Sequence, residues 1–297
     1  MIIKFWGVRG SIPVPGKDTV KYGGNTTCIE VITSEGNRLI FDAGTGIRAL
    51  GNKLCAEEFG QGKGTAHILF THSHWDHIQG FPFFAPVYVG KRNEAGKVIK
   101  GTSNKLFIYG ASEVTGSIEA TLRGQMVDGY FPVSLNDLAA NFKFNNLNGK
   151  PIKIGKTKIY SAHLRHPNGV LGYRIEDEGN VVTIATDCEH PEDGTVDENL
   201  LKLADNADLL IYDGQYTPQE YEPAKFNLKL FPKKGFGHST AQEGIKAAVA
   251  AKAKRLVITH HEPMHDDKFI ASMEKEAQKL MPDIIFAKEG MEIVVKS

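Results

Sequence analysis

Four side chains able to hold a metal ion fall between positions 72 and 77 of this chain: His72, His74, Asp76 and His77. In an extended backbone, His72 and His74 point to the same face, and a tight turn after them brings Asp76 and His77 around. Imidazole suits zinc, iron and similar metals, and a carboxylate adds charge and can act as a base. Core packing does not call for four such groups in one segment.

The elements around this segment explain how it could be completed. Short apolar runs rich in β-branched residues, bounded by turn residues, read as strands. A first group covers Ile2–Gly7, Cys28–Thr33, Arg38–Asp42, His67–Thr71 and Lys105–Tyr109. A second covers Lys153–Ala162, Gly169–Ile175, Val181–Thr186, Asp208–Tyr212, Arg255–Thr259, Ile284–Ala287 and Glu292–Val295. Helical periodicity marks Gly46–Glu58, Ser112–Gln125, Asp197–Ala204, Ala241–Ala253 and Asp267–Leu280. In the last of these, Phe269, Ile270, Met273, Ala277 and Leu280 share one face. Four apolar strands run directly into a polar residue, at His72, Asp187, Asp213 and His260. Strand ends at one sheet edge can converge on a single site. Strands followed by helices in each half predict two mixed β-sheets face to face with helices outside, a four-layer αβ/βα sandwich of class α/β. With no linker or repeat, residues 1–297 read as one domain with internal halves of about 1–150 and 151–297.

Composition narrows the function. The 297 residues carry 35 Lys and Arg against 35 Asp and Glu, so no global field draws in nucleic acid or anionic membrane, and any polyanion contact must be local. No apolar run approaches the roughly 18 residues of a membrane-spanning helix. Met1–Gly7 alternates like a strand and lacks a signal-peptide pattern. Cys28, Cys55 and Cys188 are an odd set without metal-like spacing, which argues against a disulfide framework. Together these predict a cytoplasmic protein with no membrane partner.

The sequence resembles the metallo-β-lactamase superfamily, whose signature is His-x-His-x-Asp-His after an apolar strand, and more specifically its phosphodiesterase and tRNase Z-like branch. Phe41-Asp42-Ala43-Gly44-Thr45-Gly46 looks like the family's early Asp-Gly loop, which buttresses the site. His166 stands six residues before Gly172-Tyr173, as the next metal histidine does in that branch. Ala185-Thr186-Asp187 and Ile258-Thr259-His260 resemble the strands that end in the bridging aspartate and the last histidine. Phe5-Trp6-Gly7-Val8-Arg9-Gly10-Ser11, Tyr22-Gly23-Gly24-Asn25-Thr26 and His260-His261-Glu262-Pro263 resemble a bacterial group of metallo-hydrolases within the superfamily. The resemblance spans nearly the whole chain. It implies two divalent ions, zinc first, with manganese or iron also compatible. One would be held by His72, His74 and His166, the other by Asp76, His77 and His260, with Asp187 bridging. His163 is the alternative to His166, although its spacing to Gly172-Tyr173 does not fit. His261 is the alternative to His260 and has a better role touching substrate. His190 reads as a loop residue.

Two such ions about 3.5–4 Å apart can share an activated bridging hydroxide. That chemistry serves a β-lactam, a thioester, a lactone or a phosphodiester, so other residues must discriminate. Asp76 is kept in the phosphodiesterase and thioesterase branches, whereas lactamases proper depart there. His74 stands where the oxygen-reducing di-iron branch has Glu. Gly237-His238-Ser239-Thr240 resembles an element of tRNase Z in which a histidine outside the metal shell pairs with an acid. Here that acid is Asp213, although Tyr212-Asp213 departs from the His-Glu expected. An imidazole so paired can protonate a poor leaving group such as an alkoxide, a need a thioesterase lacks. Asp76, Asp213 and His238 are therefore the catalytic candidates.

The reading reached is a dinuclear metal-dependent hydrolase, a phosphodiesterase for a cyclic nucleotide or short nucleotide diester. The alternatives are a tRNase Z-like ribonuclease, a thioester or lactone hydrolase, and a non-catalytic nucleotide or metal sensor. The long basic arm of tRNA-processing enzymes has no counterpart, which ranks RNA below a small phosphodiester. Lys91, Arg92, Lys97, Lys100 and Lys105 in Gly90–Lys105 read as a solvated hairpin, and Pro223–Lys234 as a candidate flap over the site. For substrate contacts, Arg9 would meet a phosphate, Phe81 with Phe83 and Phe84 would stack a base unless they pack as core beneath the metal loop, and Asn25 and His261 would line the site. Dimerisation is implied by the resemblance alone.

Overall fold

The computed structural model describes residues 1–99, 101–111 and 116–296. Six strands of the first half form one sheet: β1 (Ile2–Gly7), β2 (Cys28–Ile32), β3 (Arg38–Phe41), β4 (Thr65–Leu69), β5 (Lys105–Ala111) and β6 (Asn141–Leu147). The second sheet takes β7 (Ile152–Ile154), β8 (Thr157–Leu164), β9 (Val170–Asp177), β10 (Asn180–Ala185), β11 (Leu209–Asp213), β12 (Leu256–Thr259) and β13 (Ile285–Phe286). The last strand, β14 (Glu292–Val294), returns to the first sheet beside β1. The strand orders are β14-β1-β2-β3-β4-β5-β6 and β13-β12-β11-β10-β9-β8-β7.

Each sheet is antiparallel at one end and parallel at the other. The pairs β3–β4, β4–β5 and β5–β6 are parallel in the first sheet, as are β10–β11, β11–β12 and β12–β13 in the second. Parallel strands align their carboxyl ends on one edge, and that edge carries the polar strand-end residues.

One hydrophobic cluster joins the sheets face to face, with Ile3, Phe5, Val31, Leu39 and Phe41 against Ile159, Tyr173, Ile184, Ile211 and Val257. A second lies between the first sheet and α1 (Ile47–Cys55) and α3 (Ile118–Gln125). The third lies between the second sheet and α4 (Glu198–Ala204), α6 (Ala241–Ala250) and α7 (Asp267–Gln278). Single helical turns, α2 (Trp75–Ile78) and α5 (Pro218–Tyr221), complete the set. The four-layer sandwich expected from the sequence is the observed architecture. Among the described residues, no helix is long and apolar enough to cross a membrane.

Three expectations change. The run Lys153–Ala162 divides into β7 and β8 around a turn at Gly155, whose φ of 58° suits glycine. Strand β6 was not expected; it pairs only with β5, at the sheet edge, and its Asn-Phe-Lys-Phe-Asn-Asn-Leu sequence lacks β-branched residues. The helix expected from Ser112 is seen from Ile118, with the Ser117 hydroxyl accepting from the Ala120 amide; Ser112 lies outside the described residues. Lys100 of the basic hairpin lies outside them too.

Candidate metal centre

Five strand ends deliver the centre. After β3 comes Asp42, after β4 the His72–His77 segment, after β10 Asp187, at the end of β11 Asp213, and after β12 His260. Asp42, Asp187 and His260 have φ of 62°, 55° and 63°. Non-glycine residues seldom occupy this left-handed region, and each of these turns its side chain off the strand axis into the space between the sheets. In the His72–His77 segment, His74 is extended and the turn α2 starts at Trp75, which swings Asp76 and His77 inward. His166 arrives from the turn between β8 and β9.

Among the described residues the expected ligands fall in two donor groups, His72, His74 and His166 in one and Asp76, His77, Asp187 and His260 in the other, with donor atoms within 4.8 Å of one another in each; a third group, Asp187, Asp213, His238 and His260, overlaps the second. Asp187 links the first two: its Oδ1 lies 3.9 Å from His72 Nε2 and 3.3 Å from His260 Nε2, and its Oδ2 lies 3.2 Å from His77 Nε2. All seven ligand-type residues expected from the sequence are brought together. His163 is exposed and outside both groups. His190 Nδ1 meets the Ser239 hydroxyl at 3.0 Å, and His190 is outside the groups as well.

The outward nitrogen of each ring decides whether the inward one can bind a cation. His77 Nδ1 donates to Asp42 Oδ2 at 2.8 Å, His166 Nδ1 to the Gly237 carbonyl at 2.8 Å, and His260 Nδ1 to Gln215 Oε1 at 3.0 Å. A ring that donates through Nδ1 keeps its lone pair on Nε2, facing the centre. His77 Nε2 then faces His260 Nε2 at 3.3 Å, and His166 Nε2 faces His74 Nδ1 at 3.0 Å. His72 Nε2 is buried with no hydrogen-bond partner. Facing lone pairs repel unless a cation or proton lies between them, so the donor set fits divalent metal ions.

Electrostatics agree. Burial lowers the proton affinity of His72 and His74 below the usual imidazole range and brings His166 to about 4, favouring the neutral, ligating form. Burial also opposes charge on His77 and His260, but Asp187, aided by Asp76, outweighs it; His77 rises well above its usual range and His260 to about 9. Asp76 and Asp187 stay ionised despite burial because of the imidazoles around them. A field strong enough to attract protons to these rings also attracts a metal cation.

Beside this centre, His238 Nδ1 lies 2.9 Å from Asp213 Oδ2. The His238 ring sits 5.0 Å from that of His260 and 5.2 Å from that of His166. Asp213 is fully buried, and its oxygens also accept from the main-chain N–H groups of Asp187, Gln215 and Ser239 at 3.0, 3.0 and 3.2 Å. The pairing expected across 25 positions is present.

The expected substrate contacts fare differently. Arg9 is wholly buried and donates to the carbonyls of Gly23, Glu262 and His265, so it ties the N-terminal loop to the β12–α7 loop and does not face a phosphate. Asn25 is bound to Glu289 through both its main-chain and side-chain nitrogens. Phe81 is fully buried against Phe142, a core position; Phe84 is also buried, whereas Phe83 is exposed. His261 is buried with Nε2 on the Ala287 carbonyl at 2.9 Å and its ring stacked on Phe286, behind the centre. Arg9, Asn25, Phe81 and His261 are thus each engaged by other groups of the protein. In the segment 223–234, Phe226, Leu228 and Phe231 are exposed, and Lys233 lies over the Tyr216 ring at 5.7 Å, a ring whose centroid is 5.9 Å from that of His238.

Gln215 and Ser11 were not singled out as site residues. Gln215 orients His260 through Oε1, while its Nε2 donates to Glu262 Oε2 at 2.8 Å, which fixes the amide's direction. The Ser11 main-chain N–H donates to Asp76 Oδ2 at 2.8 Å. Only the proximity of Gln215 to Asp213 in sequence hinted at its role.

Next to the centre, an open cavity of about 150 Å³ is walled by Phe70, Ile118, Val170 and Leu171 and reaches His72 and His74.

Two mixed sheets presenting a histidine–aspartate donor set on their shared edge define a metal-dependent hydrolase of the metallo-β-lactamase fold. The chain belongs to the beta-lactamase superfamily: the family model described as "Beta-lactamase superfamily domain" matches residues 37–261. It is similar to a protein named Ribonuclease Z from Prochlorococcus marinus (strain MIT 9515), 25% identical over 276 residues, covering 77% of this chain and 82% of that one. In fold it is similar to the short form of human tRNase Z, with a TM-score of 0.65, 19% identity and all of both chains covered. It is also similar in fold to a diphosphatase from the PhnP family, with a TM-score of 0.62, 17% identity and coverage of 99% of this chain and 98% of that one.

Proposed function

We propose that the protein is a dinuclear phosphodiesterase whose substrate is a cyclic nucleotide or a short nucleotide diester. The observation that carries this reading is the buried Asp213–His238 pair at 2.9 Å beside the donor set. In the proposed site, His72, His74 and His166 hold one ion, Asp76, His77 and His260 the other, and Asp187 reaches both. The histidine-rich donor set suits zinc first, with manganese or iron compatible. Bound divalent ions supply a water acidic enough to attack near neutral pH and positive charge facing the phosphoryl oxygens.

The chain's own residues supply the rest. Asp42, Gly237 and Gln215 hold His77, His166 and His260 in the ligating tautomer. Asp213 holds the His238 ring through Nδ1–H, and in the imidazolium form the Nε2–H is the proton delivered to the departing alkoxide, leaving the neutral ring. An alkoxide leaves poorly without that proton, whereas a thiolate does not need it, and so the pair favours phosphodiesters over thioesters.

The curated relatives named Ribonuclease Z favour a second reading, a tRNase Z-like ribonuclease. The balanced charge of 35 against 35 supports the smaller substrate.

The test is hydrolysis of bis(p-nitrophenyl) phosphate by metal-reconstituted protein. Wild type is expected to turn over and Asp76→Ala to lose activity with its metal. His238→Ala should keep metal and lose about 10²–10⁴-fold in kcat on a cyclic nucleotide, whose leaving group is an alkoxide, and far less on bis(p-nitrophenyl) phosphate, whose nitrophenolate departs without a proton. Cyclic-nucleotide turnover unchanged in His238→Ala would remove the basis of this reading, and cleavage of precursor tRNA alone would favour the second.

A further inference from the structure

Glu189 stands two residues after Asp187, in the loop that leaves β10, and its half-buried carboxylate collects three hydrogen bonds. Oε1 accepts from the Tyr221 hydroxyl at 2.7 Å and from the Gly235 main-chain N–H at 2.6 Å. Oε2 accepts from the Gly237 N–H at 3.1 Å. All three donors belong to one stretch of chain that runs from the end of α5 to the residue before His238. Hydrogen bonds to an ionised acceptor are roughly twice as strong as neutral ones, so the carboxylate fastens the 235–237 turn firmly.

The turn held in this way carries a contact the metal centre depends on. The Gly237 carbonyl accepts from His166 Nδ1 at 2.8 Å, the hydrogen bond that leaves His166 Nε2 free to ligate. The fit between the two residues is close. Gly237 has φ of 87°, which suits glycine, and a Cβ there would collide with His166 Nδ1 and with Pro167. Gly237 is thus held at both its polar groups, by Glu189 on the N–H and by His166 on the carbonyl. The Glu189 main-chain N–H also donates to the Arg165 carbonyl at 2.8 Å, one residue before His166. Glu189 therefore reaches His166 by two routes, through its side chain and through its main chain.

Three converging donors call for a group that only accepts. A glutamine would turn its NH2 either toward Gly237 or toward Gly235 and Tyr221, and so would release one of the two turn amides. We propose that Glu189 is a positioning residue of the metal centre, which acts through Gly237 to aim His166 and so sets how tightly the ion at His72, His74 and His166 is held. Partners beyond the ligands of a metal site act on affinity in this manner. The inference rests on the metal sites of the proposed function and adds to them a residue two hydrogen bonds away from a ligand.

Zinc affinity, read without substrate by competition with a chromophoric chelator, tests the role. The parent should show two affinities, and Glu189→Gln, with the circular dichroism of the parent, should weaken one of them about tenfold or more. In a His166→Ala background the same substitution should shift zinc binding by no more than about twofold, because its effect passes through the missing ring. Tyr221→Phe leaves both turn amides on the carboxylate and should bind zinc as the parent does. The inference is overturned if Glu189→Gln binds zinc like the parent, if Tyr221→Phe weakens it equally, or if the loss is as large without His166. Turnover of a cyclic nucleotide by the same zinc-loaded parent separates this role from the phosphodiesterase reading. Weakened zinc in Glu189→Gln with no turnover by the parent keeps the role and removes the phosphodiesterase, whereas turnover with zinc affinity unmoved by the variant removes the role alone.

Discussion

Replacing Asp213 with Asn removes one charge and turns one acceptor into a donor, at a position with no room to adjust. In the native protein one oxygen takes His238 Nδ1 and the Asp187 amide, and the other takes the Gln215 and Ser239 amides. An asparagine NH2 must face one of these two pairs of donors. If it faces Gln215 and Ser239, two buried amides lose their acceptor, at about 1–3 kcal/mol each, so the fold should lose about 2–6 kcal/mol. His238 then keeps its tautomer but exchanges a charge-assisted hydrogen bond for a neutral one. That difference of about 1–2 kcal/mol predicts a fall in kcat of about 5- to 30-fold. Urea denaturation measures the first effect, and turnover of a cyclic nucleotide, whose leaving group is an alkoxide, normalised to metal content, the second. If Asp213 acts on the chemistry through His238, Asp213→Asn should cost little further turnover in a His238→Ala background. An equal loss in both backgrounds would refute the coupling and shift the role of Asp213 to holding the Asp187 main chain.

Two other perturbations test neighbouring parts of the account. A Cβ on Gly10 would lie 2.5 Å from His260 Nδ1 and 2.8 Å from Gln215 Oε1, so Gly10→Ala should displace His260, cost about 1–3 kcal/mol of stability and lower metal content by elemental analysis; unchanged metal content would contradict the close fit. Burial lowers His67, stacked on Phe107 at 4.8 Å, to about 4, below its unfolded value near 6.5. The unfolded chain therefore takes up this proton first as pH falls, and the associated stability is complete above about 6.5 and lost toward 4. Allowing for partial solvent screening, wild type should lose about 1 kcal/mol more than His67→Phe between pH 7.5 and 5 in denaturant titrations; equal losses would rule this contribution out.

What the sequence revealed and what it hid divide along physical lines. His72, Asp187 and His260 were legible because each follows an apolar strand, and the strand-end position survives whatever the distant packing does, whereas His166 was legible only through the spacing that the family resemblance supplies. The Asp213–His238 pairing was legible from resemblance to a motif, despite the Tyr-Asp departure. Buried polar residues with distant partners were not. An arginine near a turn reads as a ligand for phosphate, and nothing local shows that the carbonyls of Glu262 and His265 will surround Arg9. Phe81 and Trp75 lie six positions apart around the metal segment, yet Phe81 is fully buried and Trp75 exposed, a difference that no local pattern announces. Strand β6 escaped notice because an edge strand needs little apolar alternation, and its burial pattern is mostly partial or exposed.

The measurement closest to the central claim is metal stoichiometry read together with turnover in the same samples. Wild type should bind two divalent ions per chain, with bis(p-nitrophenyl) phosphate hydrolysis rising as the second is filled. His74→Ala and His260→Ala should each bind one ion fewer and hydrolyse far more slowly. A wild-type chain that binds no more metal than the two variants, or hydrolyses the diester equally well when stripped by a chelator, would contradict the account.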